Sequence, residues 1–352
     1  MCELLAISSN TPVNISFTWR GFIKRGLRNP DGWGIAFYKD DTALIYKEPK
    51  PAPESPLAHF LRNIIKSRLI ISHVRWATKG RAKYSNTHPF KREVYGREWV
   101  FAHNGDVSCI VNNPDFKLEH YFPVGETDSE YAFCYMLDQI RELTRNRDYS
   151  ILRLSKRILQ IAMKIGSHGK FNFLLSNGNE LYAYMNRRQT LYYLLRHPPH
   201  RAYARLIDED YEVNLSEIKG DNEYVVLIAT KPITNEQWRP FPANELLVFR
   251  DGNLLLKASL RKLEIPLTTP EKNVLKIVRK SKHSIELTKI AERLGIDKEE
   301  ARETVKALVH KKLLKIDRRG PKDLERTNIR LYTSKHIREI LDKVVLQKTT
   351  CG

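Results

Sequence analysis

The sequence has only four cysteines, Cys2, Cys109, Cys134 and Cys351, and no two of them form a Cys-x-x-Cys pair. No Cys/His spacing fits a zinc site, so a structural zinc and a disulfide framework are both excluded, and no metal or organic cofactor is expected. No apolar run approaches the roughly 18 residues that a membrane span needs. The opening MCELLAISSN lacks a basic stretch followed by a long apolar one, so no secretory leader is expected. A cytoplasmic protein with reduced thiols and no membrane association is the resulting expectation. There is no internal repeat and no low-complexity tract. Cys109 and Cys134 lie in apolar surroundings and are expected to pack, and Cys351 sits in a polar stretch. Cys2 stands apart because of its position.

What the sequence has in excess is positive charge. The 352 residues carry 60 Lys and Arg against 41 Asp and Glu, a formal +19. A chain of this length is expected to form two domains. From Ile265 to Gly352 there are 22 basic and 12 acidic residues, against 38 and 29 in the remainder, so the C-terminal quarter is about three times more positive per residue. A basic module suggests a polyanionic partner. A solvated Lys/Glu surface is the plain alternative.

Up to about residue 259 the pattern is strand-rich with two helical interruptions. Strand-like runs begin at Cys2, Gly32, Arg68, Arg97, Phe171, Glu180, Glu223 and Glu245. Asn177-Gly178 and Asp251-Gly252 are hairpin-turn signals. One helix opens at Thr127-Asp128 with an apolar face of Phe133, Met136, Leu137, Ile140 and Leu143, and a second spans about 149–165. Strands, two adjacent helices and more strands suggest sheets covered by helices. Beyond Pro266 the spacing predicts helices over about 270–281, 285–294 and 297–312. Thr269 and Asp297 are the expected caps, and Gly295 the expected stop. Two strand-like runs, LLKID and NIRLY, follow, separated by the basic loop RRGPKDLERT.

A cysteine at position 2 has a chemical use if Met1 is removed. The freed α-amine, with an ordinary pKa of about 7.7–8.0, can take the proton of a thiol whose ordinary pKa is about 8.5. One residue then supplies both nucleophile and base. Alone, Cys2 reads as an ordinary second-position cysteine at the start of a strand. Other stretches give it a context: NPDGWGIAFY from Asn29, SHVRWATKG from Ser72, NTHPF from Asn86, FAHNGDV from Phe101 and GETDSEY from Gly125. In this ordered combination the chain resembles the class II glutamine amidotransferases, whose nucleophile is an N-terminal cysteine. Among them it is most similar to the small stand-alone members that lack a fused synthase.

That resemblance implies an α+β fold: a four-layer αββα N-terminal-nucleophile hydrolase sandwich over residues 1–262. It implies that Cys2 attacks the side-chain amide of glutamine or of another γ-glutamyl compound, and that Asn104 and Gly105 form the oxyanion hole. Asn104-Gly105 read without the resemblance is a hairpin turn. Arg75 is implied to grip the α-carboxylate, as a bidentate guanidinium can, with Thr78 lining the pocket; a structural ion pair is the alternative. Asp128 is implied to bind the α-ammonium, or to serve as the helix N-cap. His88 is expected to be a packed, hydrogen-bonded histidine, and Trp76 to pack. NPDGWG is expected to turn tightly near the nucleophile, with Arg25 or Arg28 filling the place of an arginine that relatives carry there. Lys79 stands where relatives acting on sugar phosphates have histidine, so the substrate end is expected to differ.

The segment 263–352 has the pattern of a small winged-helix-like domain. Lys298, Arg302, Lys306 and His310 recur every fourth residue on its third helix, with Ala301, Val305 and Leu308 on another face. With Arg318, Arg319 and Lys322 in the loop, this arrangement suits duplex DNA. Docking to a protein and a structural extension are the alternatives. The leading function is a glutaminase that releases ammonia to an acceptor on a partner protein. Hydrolysis of another γ-glutamyl amide, and a DNA-binding regulator that senses glutamine, are the competing readings.

Overall fold

The strand Glu3–Asn14 explains why the sequence reads as continuous apolar runs. Leu4 and Ala6 point to one side, Leu5 and Ile7 to the other, and all four are buried. A strand covered on both faces has no polar face to alternate with. The computed structural model describes residues 2–77, 80–146, 149–187, 190–200, 203–260, 263–281, 285–311, 313–317 and 328–331. The chain divides into two compact units, Met1–Leu263 and Glu264–Gly352.

In the first unit most strands form two large antiparallel sheets, with Tyr203–Arg205 and Glu212–Asn214 as a separate two-stranded ribbon. One runs in the order Arg239–Pro240, Tyr192–Arg196, Val225–Ala229, Glu3–Asn14, Lys66–Val74, Trp33–Lys39, Thr42–Glu48. The other contains, in order, Asn253–Ala258, Glu245–Arg250, Leu181–Met185, Lys170–Ser176, Arg97–Asp106 and Phe90–Val94. The sheets face each other across a core in which Leu4, Ala6, Ala36 and Ile71 meet Val100, Ala102, Leu174 and Leu247. Helices Ser16–Lys24 and Pro56–Ile64 cover the outside of the first sheet, burying Trp19, Phe22 and Leu61 with Leu5, Ile7 and Ile70. Helices Asp128–Thr144 and Ile151–Gly166 cover the second, where Phe133 stacks on Phe101 at 5.1 Å. The layers are αββα. No helix among the described residues is long and apolar enough to cross a membrane.

The two helices over the first sheet are absent from the sequence reading, which found only two helical interruptions. Each has nine residues, below the length at which an isolated helix is stable. Ser16–Lys24 contains Thr18, Trp19, Gly21 and Phe22, weak helix formers, and its N-cap residue, Ile15, makes no side-chain cap bond, although Asn14 Oδ1 accepts the Ser16 N–H at 2.6 Å. Burial stabilises it instead, and the Trp19 indole N–H donates to the Ala58 carbonyl of the companion helix at 3.1 Å. Cys134 is buried, but Cys109 is exposed, contrary to expectation. It sits in the short turn Ser108–Ile110, where Ile110 takes the core position.

The Asp251-Gly252 turn follows its sequence signal. Asp251 and Gly252, at φ 48° and 73°, close the hairpin between the last two long strands of the unit. At the other end, Gly34 faces the carbonyl of His88 so closely that a Cβ there would stand 2.1 Å from its oxygen. That oxygen belongs to the backbone and cannot swing aside. Gly34→Ala is therefore expected to destabilise the fold by about 3–5 kcal/mol, read as a fall in the urea midpoint. Gly220→Ala, where a Cβ meets nothing within 4 Å, is expected to stay within about 0.5 kcal/mol.

The second unit contains helices Thr269–Lys280, Leu287–Leu294 and Lys298–His310. Its three-stranded antiparallel sheet has the order Ile285–Glu286, Asn328–Leu331, Leu314–Asp317. Val274, Val278, Ile290, Ala301, Val305, Leu308 and Ile329 are buried. The first helix is capped by Thr268 rather than Thr269. Thr268 and Glu271 form a reciprocal capping box, which moves the start back by one residue. Gly295, at φ 65°, ends the second helix, and Asp297 caps the third.

Candidate active site

Strand alternation gathers the motif residues. Glu3 pairs with Val74 and Leu4 with His73, so the next pair in this register is Cys2 and Arg75. Alternate residues share a face. Cys2 follows Leu4 and Ala6, and Arg75 follows Ile71, onto the side that faces the second sheet. On that sheet Asn104 follows Val100 and Ala102 toward the same space. Three stretches far apart in sequence thus meet at one end of the sandwich.

Cys2 is half-buried. Its Sγ accepts the Trp76 N–H and lies 3.3 Å from both the Trp76 nitrogen and the Trp76 carbonyl oxygen. Burial pushes the thiol pKa up, against the opposing pull of the Trp76 N–H and the charge of Arg75. Trp76 itself does not pack as expected. Its side chain is 47% exposed, because its backbone serves the cysteine while the indole points outward.

Arg75 is buried. Nη2 donates to the Gly80 carbonyl at 3.2 Å and Nη1 to the Arg81 carbonyl at 3.5 Å. The NPDGWG turn holds its backbone. Arg75 N–H donates to Gly32 O at 2.7 Å, Asp31 N–H donates to Arg75 O at 3.1 Å, and Asp31 Oδ2 accepts the Ala77 N–H at 2.7 Å. Gly32 adopts φ 148°, where a side chain is strained. Arg25 is taken up elsewhere: it is buried, ion-paired to Glu3 at 2.7 Å and bonded to the carbonyls of Lys231 and Pro232. It anchors the strand that follows Cys2. Arg28 is exposed.

Asn104 and Gly105 lie inside the strand Arg97–Asp106 and form no hairpin turn, since they pair with Asn172 and Phe171. Asn104 is buried. Lys170 Nζ donates to its Oδ1 at 3.5 Å, and its Nδ2 has no hydrogen-bond partner. A buried N–H without an acceptor costs about 1–3 kcal/mol. Gly105 has no room for a side chain, because a Cβ would stand 1.8 Å from the Lys170 carbonyl oxygen.

Asp128 is the first residue of its helix, and the N-cap is Thr127, whose Oγ1 accepts the Glu130 N–H at 3.2 Å. The Asp128 carboxylate accepts the Val107 N–H at 2.7 Å and the Ser129 N–H at 2.9 Å, which fixes its direction. Thr78 and Lys79 lie outside the described residues.

Of the buried polar residues around these, only His88 carries an assignment from the sequence. His73, His88 and His103 are buried. Burial pushes His73 down to about 3, His88 well below its ordinary value, and His103 down as well, so all three are neutral at pH 7. His88 packs on His73 at 4.2 Å and on Phe90 at 4.5 Å, but neither ring nitrogen has a hydrogen-bond partner. The expected hydrogen bond is absent because aromatic rings occupy its neighbourhood. His103 contacts Ser129 Oγ at 2.8 Å. Lys170 sits within the electrostatic reach of Cys2, and burial lowers its pKa. His73 and His103 lie within quoted motifs and were legible there, whereas Lys170 begins a plain strand with no local signal. Among the described residues no group of three or more His, Cys, Asp or Glu is placed to hold a metal ion.

In the second unit two of the four residues of the expected basic stripe pair with glutamates of the same helix. Lys298 is exposed, but Arg302 pairs with Glu299 at 3.1 Å and Lys306 with Glu303 at 2.6 Å. Arg318, Arg319 and Lys322 lie outside the described residues, as does the side chain of His310.

Comparison with known proteins fits this arrangement. The family described as class-II glutamine amidotransferases matches residues 1–273. A Methanocaldococcus jannaschii protein of uncharacterised activity is 38% identical over 355 residues, covering 97% of this chain and 96% of its own. Escherichia coli (strain K12) YafJ, provisionally named a glutamine amidotransferase, is 36% identical over 254 residues, 71% of this chain and 97% of its own. The 2.0 Å crystal structure of a predicted glutamine amidotransferase from Pseudomonas aeruginosa superposes with a TM-score of 0.54 at 30% identity, covering 72% of this chain and 99% of that one. With the family matched over more than half its length, the chain belongs to the class II glutamine amidotransferases.

Proposed function

We propose that the chain hydrolyses the side-chain amide of glutamine through Cys2 once Met1 is removed, releasing ammonia and glutamate. One observation carries the reading. The half-buried thiol of Cys2, the buried guanidinium of Arg75 and the partnerless Nδ2 of buried Asn104 belong to strand ends that face one space. Glutamine offers each group a fitting counterpart: a carboxylate to Arg75, an ammonium to Asp128, and an oxyanion to the unpartnered Nδ2 of Asn104.

In this reading the freed α-amine of Cys2 takes the thiol proton, and Sγ forms a bond to the amide carbon. The carbonyl oxygen becomes an oxyanion, which Asn104 Nδ2 and the Gly105 N–H stabilise. The amine returns its proton to the leaving nitrogen as the C–N bond breaks, and ammonia departs. Water, deprotonated by the same amine, then attacks the γ-glutamyl thioester. Glutamate leaves and the thiol is restored. Residues 1–262 form the amidotransferase domain, and residues 263–352 a winged-helix-like domain that serves a partner. The ammonia acceptor is placed on another protein.

A second substrate reading has an observation of its own. Trp76, whose backbone N–H meets the nucleophile, is exposed and offers a surface suited to a γ-glutamyl amide with a bulkier amine. Intact mass of the N-terminus, followed by glutamate release from glutamine and from several γ-glutamyl compounds, tests both readings. Retained Met1 in protein made under conditions that permit processing removes the base and with it the mechanism.

A further inference from the structure

The loop after Arg75 and the loop before Asp128 are joined by one side chain, the fully buried Asn86. Its Nδ2 donates to the Arg81 carbonyl at 3.1 Å, the same carbonyl that Arg75 Nη1 reaches at 3.5 Å. Its Oδ1 accepts the N–H of Glu126, two residues before Asp128, at 2.8 Å. Two glycines make room for this amide. A Cβ on Gly80 would stand 2.8 Å from Asn86 Nδ2, and one on Gly125 2.5 Å from Oδ1. Glu130 holds the second loop from behind, accepting the Gly125 N–H at 2.7 Å. A planar amide between two glycines, bonded on both edges, has little freedom to shift.

We propose that Asn86 is a positioning residue that sets the separation between the Arg75 guanidinium and the Asp128 carboxylate, and so selects substrates carrying both an α-carboxylate and an α-ammonium. This rests on the reading of Arg75 and Asp128 as the grip on the amino-acid end. Asn86 acts through Gly80 and Arg81 on one side and Gly125 and Glu126 on the other. Asn86→Ala is expected to raise KM for glutamine at least about tenfold with kcat within about threefold, the signature of lost binding common to ground and transition states. Inactivation of Cys2 by a diazoketone analogue of glutamine slows by the same factor, while inactivation by iodoacetamide, which has no amino-acid end, does not. An unchanged KM, or equal slowing by both reagents, overturns the proposal. Asn86→Ser carries the same measurements should the alanine variant not fold. Arg75→Ala separates the two levels. If it leaves KM unchanged, the reading of the grip fails; if it raises KM while Asn86→Ala does not, only the role of Asn86 fails.

A different observation carries a second proposal, within the C-terminal unit alone. Lys272, Lys276 and Lys280 are exposed on its first helix. At four-residue spacing they lie nearly in line, about 6 Å apart along the axis. The acidic residue of that helix, Glu271, is buried and held by Lys311 at 2.8 Å. On the third helix, by contrast, Arg302 and Lys306 pair with glutamates of that helix. We infer that the first helix is a nucleic-acid face that follows a duplex phosphate backbone without reading bases. Fluorescence anisotropy of the full chain with a labelled duplex of arbitrary sequence tests it. Binding is expected at low salt, with a log–log salt slope that falls by about 2.7 in the Lys272→Glu/Lys276→Glu/Lys280→Glu variant, at about 0.9 per phosphate contact. Lys306→Gln, at a cation already paired with Glu303, is expected to bind as the wild type does. Absence of binding at low salt, or an unchanged slope in the first variant, overturns the inference.

Discussion

Cys2→Ala is expected to release no measurable glutamate, a loss on the order of 10⁴–10⁶ in kcat, the scale of removing a nucleophile. The fold is expected to survive, because Cys2 precedes its strand and lies outside both hydrophobic clusters, whereas Leu4 and Leu5 carry the packing. The same site predicts a pH dependence. Burial raises the thiol pKa, so at neutral pH the thiol is protonated and needs a base. The freed amine is a base only above its own pKa of about 7.7–8.0. Activity is therefore expected to fall as pH drops through that range and protonates the amine. Coupled measurement of glutamate across pH, with intact mass in parallel, reads both results. If Cys2→Ala turns over as well as the wild type, the mechanism is wrong. If neither form turns over, yet both bind glutamine and duplex binding changes with glutamine, the sensor reading takes its place.

The second large effect is expected at Asn104. Removing one oxyanion donor costs about 10²–10³ in kcat in hydrolases of this kind, and Asn104→Ala is expected to fall in that range with KM little changed. Stability should respond differently from activity. The Nδ2 of Asn104 is already without a partner in the interior, so its loss removes a desolvated donor as well as some packing. The melting temperature is expected to move by only a few degrees. Asn104→Asp is the sharper test, since it keeps the shape but aims a carboxylate oxygen where negative charge develops. A kcat for Asn104→Ala within threefold of wild type would take the residue out of the oxyanion role. Gly105 is the wrong position for such a test. A Cβ there would meet the Lys170 carbonyl at 1.8 Å, so loss of activity would report a broken strand pair.

Much of the architecture was legible because both sheets are covered on both faces. Runs such as FNFLLS and VVLIA cannot alternate in such a setting, and the turn chemistry of Asp251-Gly252 supplies both positive φ angles. What escaped was structure whose stability comes from elsewhere. Ser16–Lys24 is a poor helix by composition and exists because Trp19 and Phe22 bury against the first sheet. Asn104-Gly105 looks like a turn locally and is a strand in place, because Asn172 and Phe171 pair across it. The lysines at four-residue spacing on the third helix of the second unit looked like a free cationic face. Glutamates three residues before Arg302 and Lys306 reach back to them, and only side-chain geometry shows which charges remain unpaired.

By itself the sequence determined the family, through short motifs in a set order, and the two-face burial of its strands, through their lack of alternation. Local chemistry is sufficient for both. Only the tertiary structure decided that Cys2 stands opposite Arg75, that Asn104 faces them with an unpartnered N–H, and that the amide of Asn86 spans the loops on either side. These are relations between segments 29 to 102 positions apart, and strand register and sheet stacking create them. No window of sequence contains them.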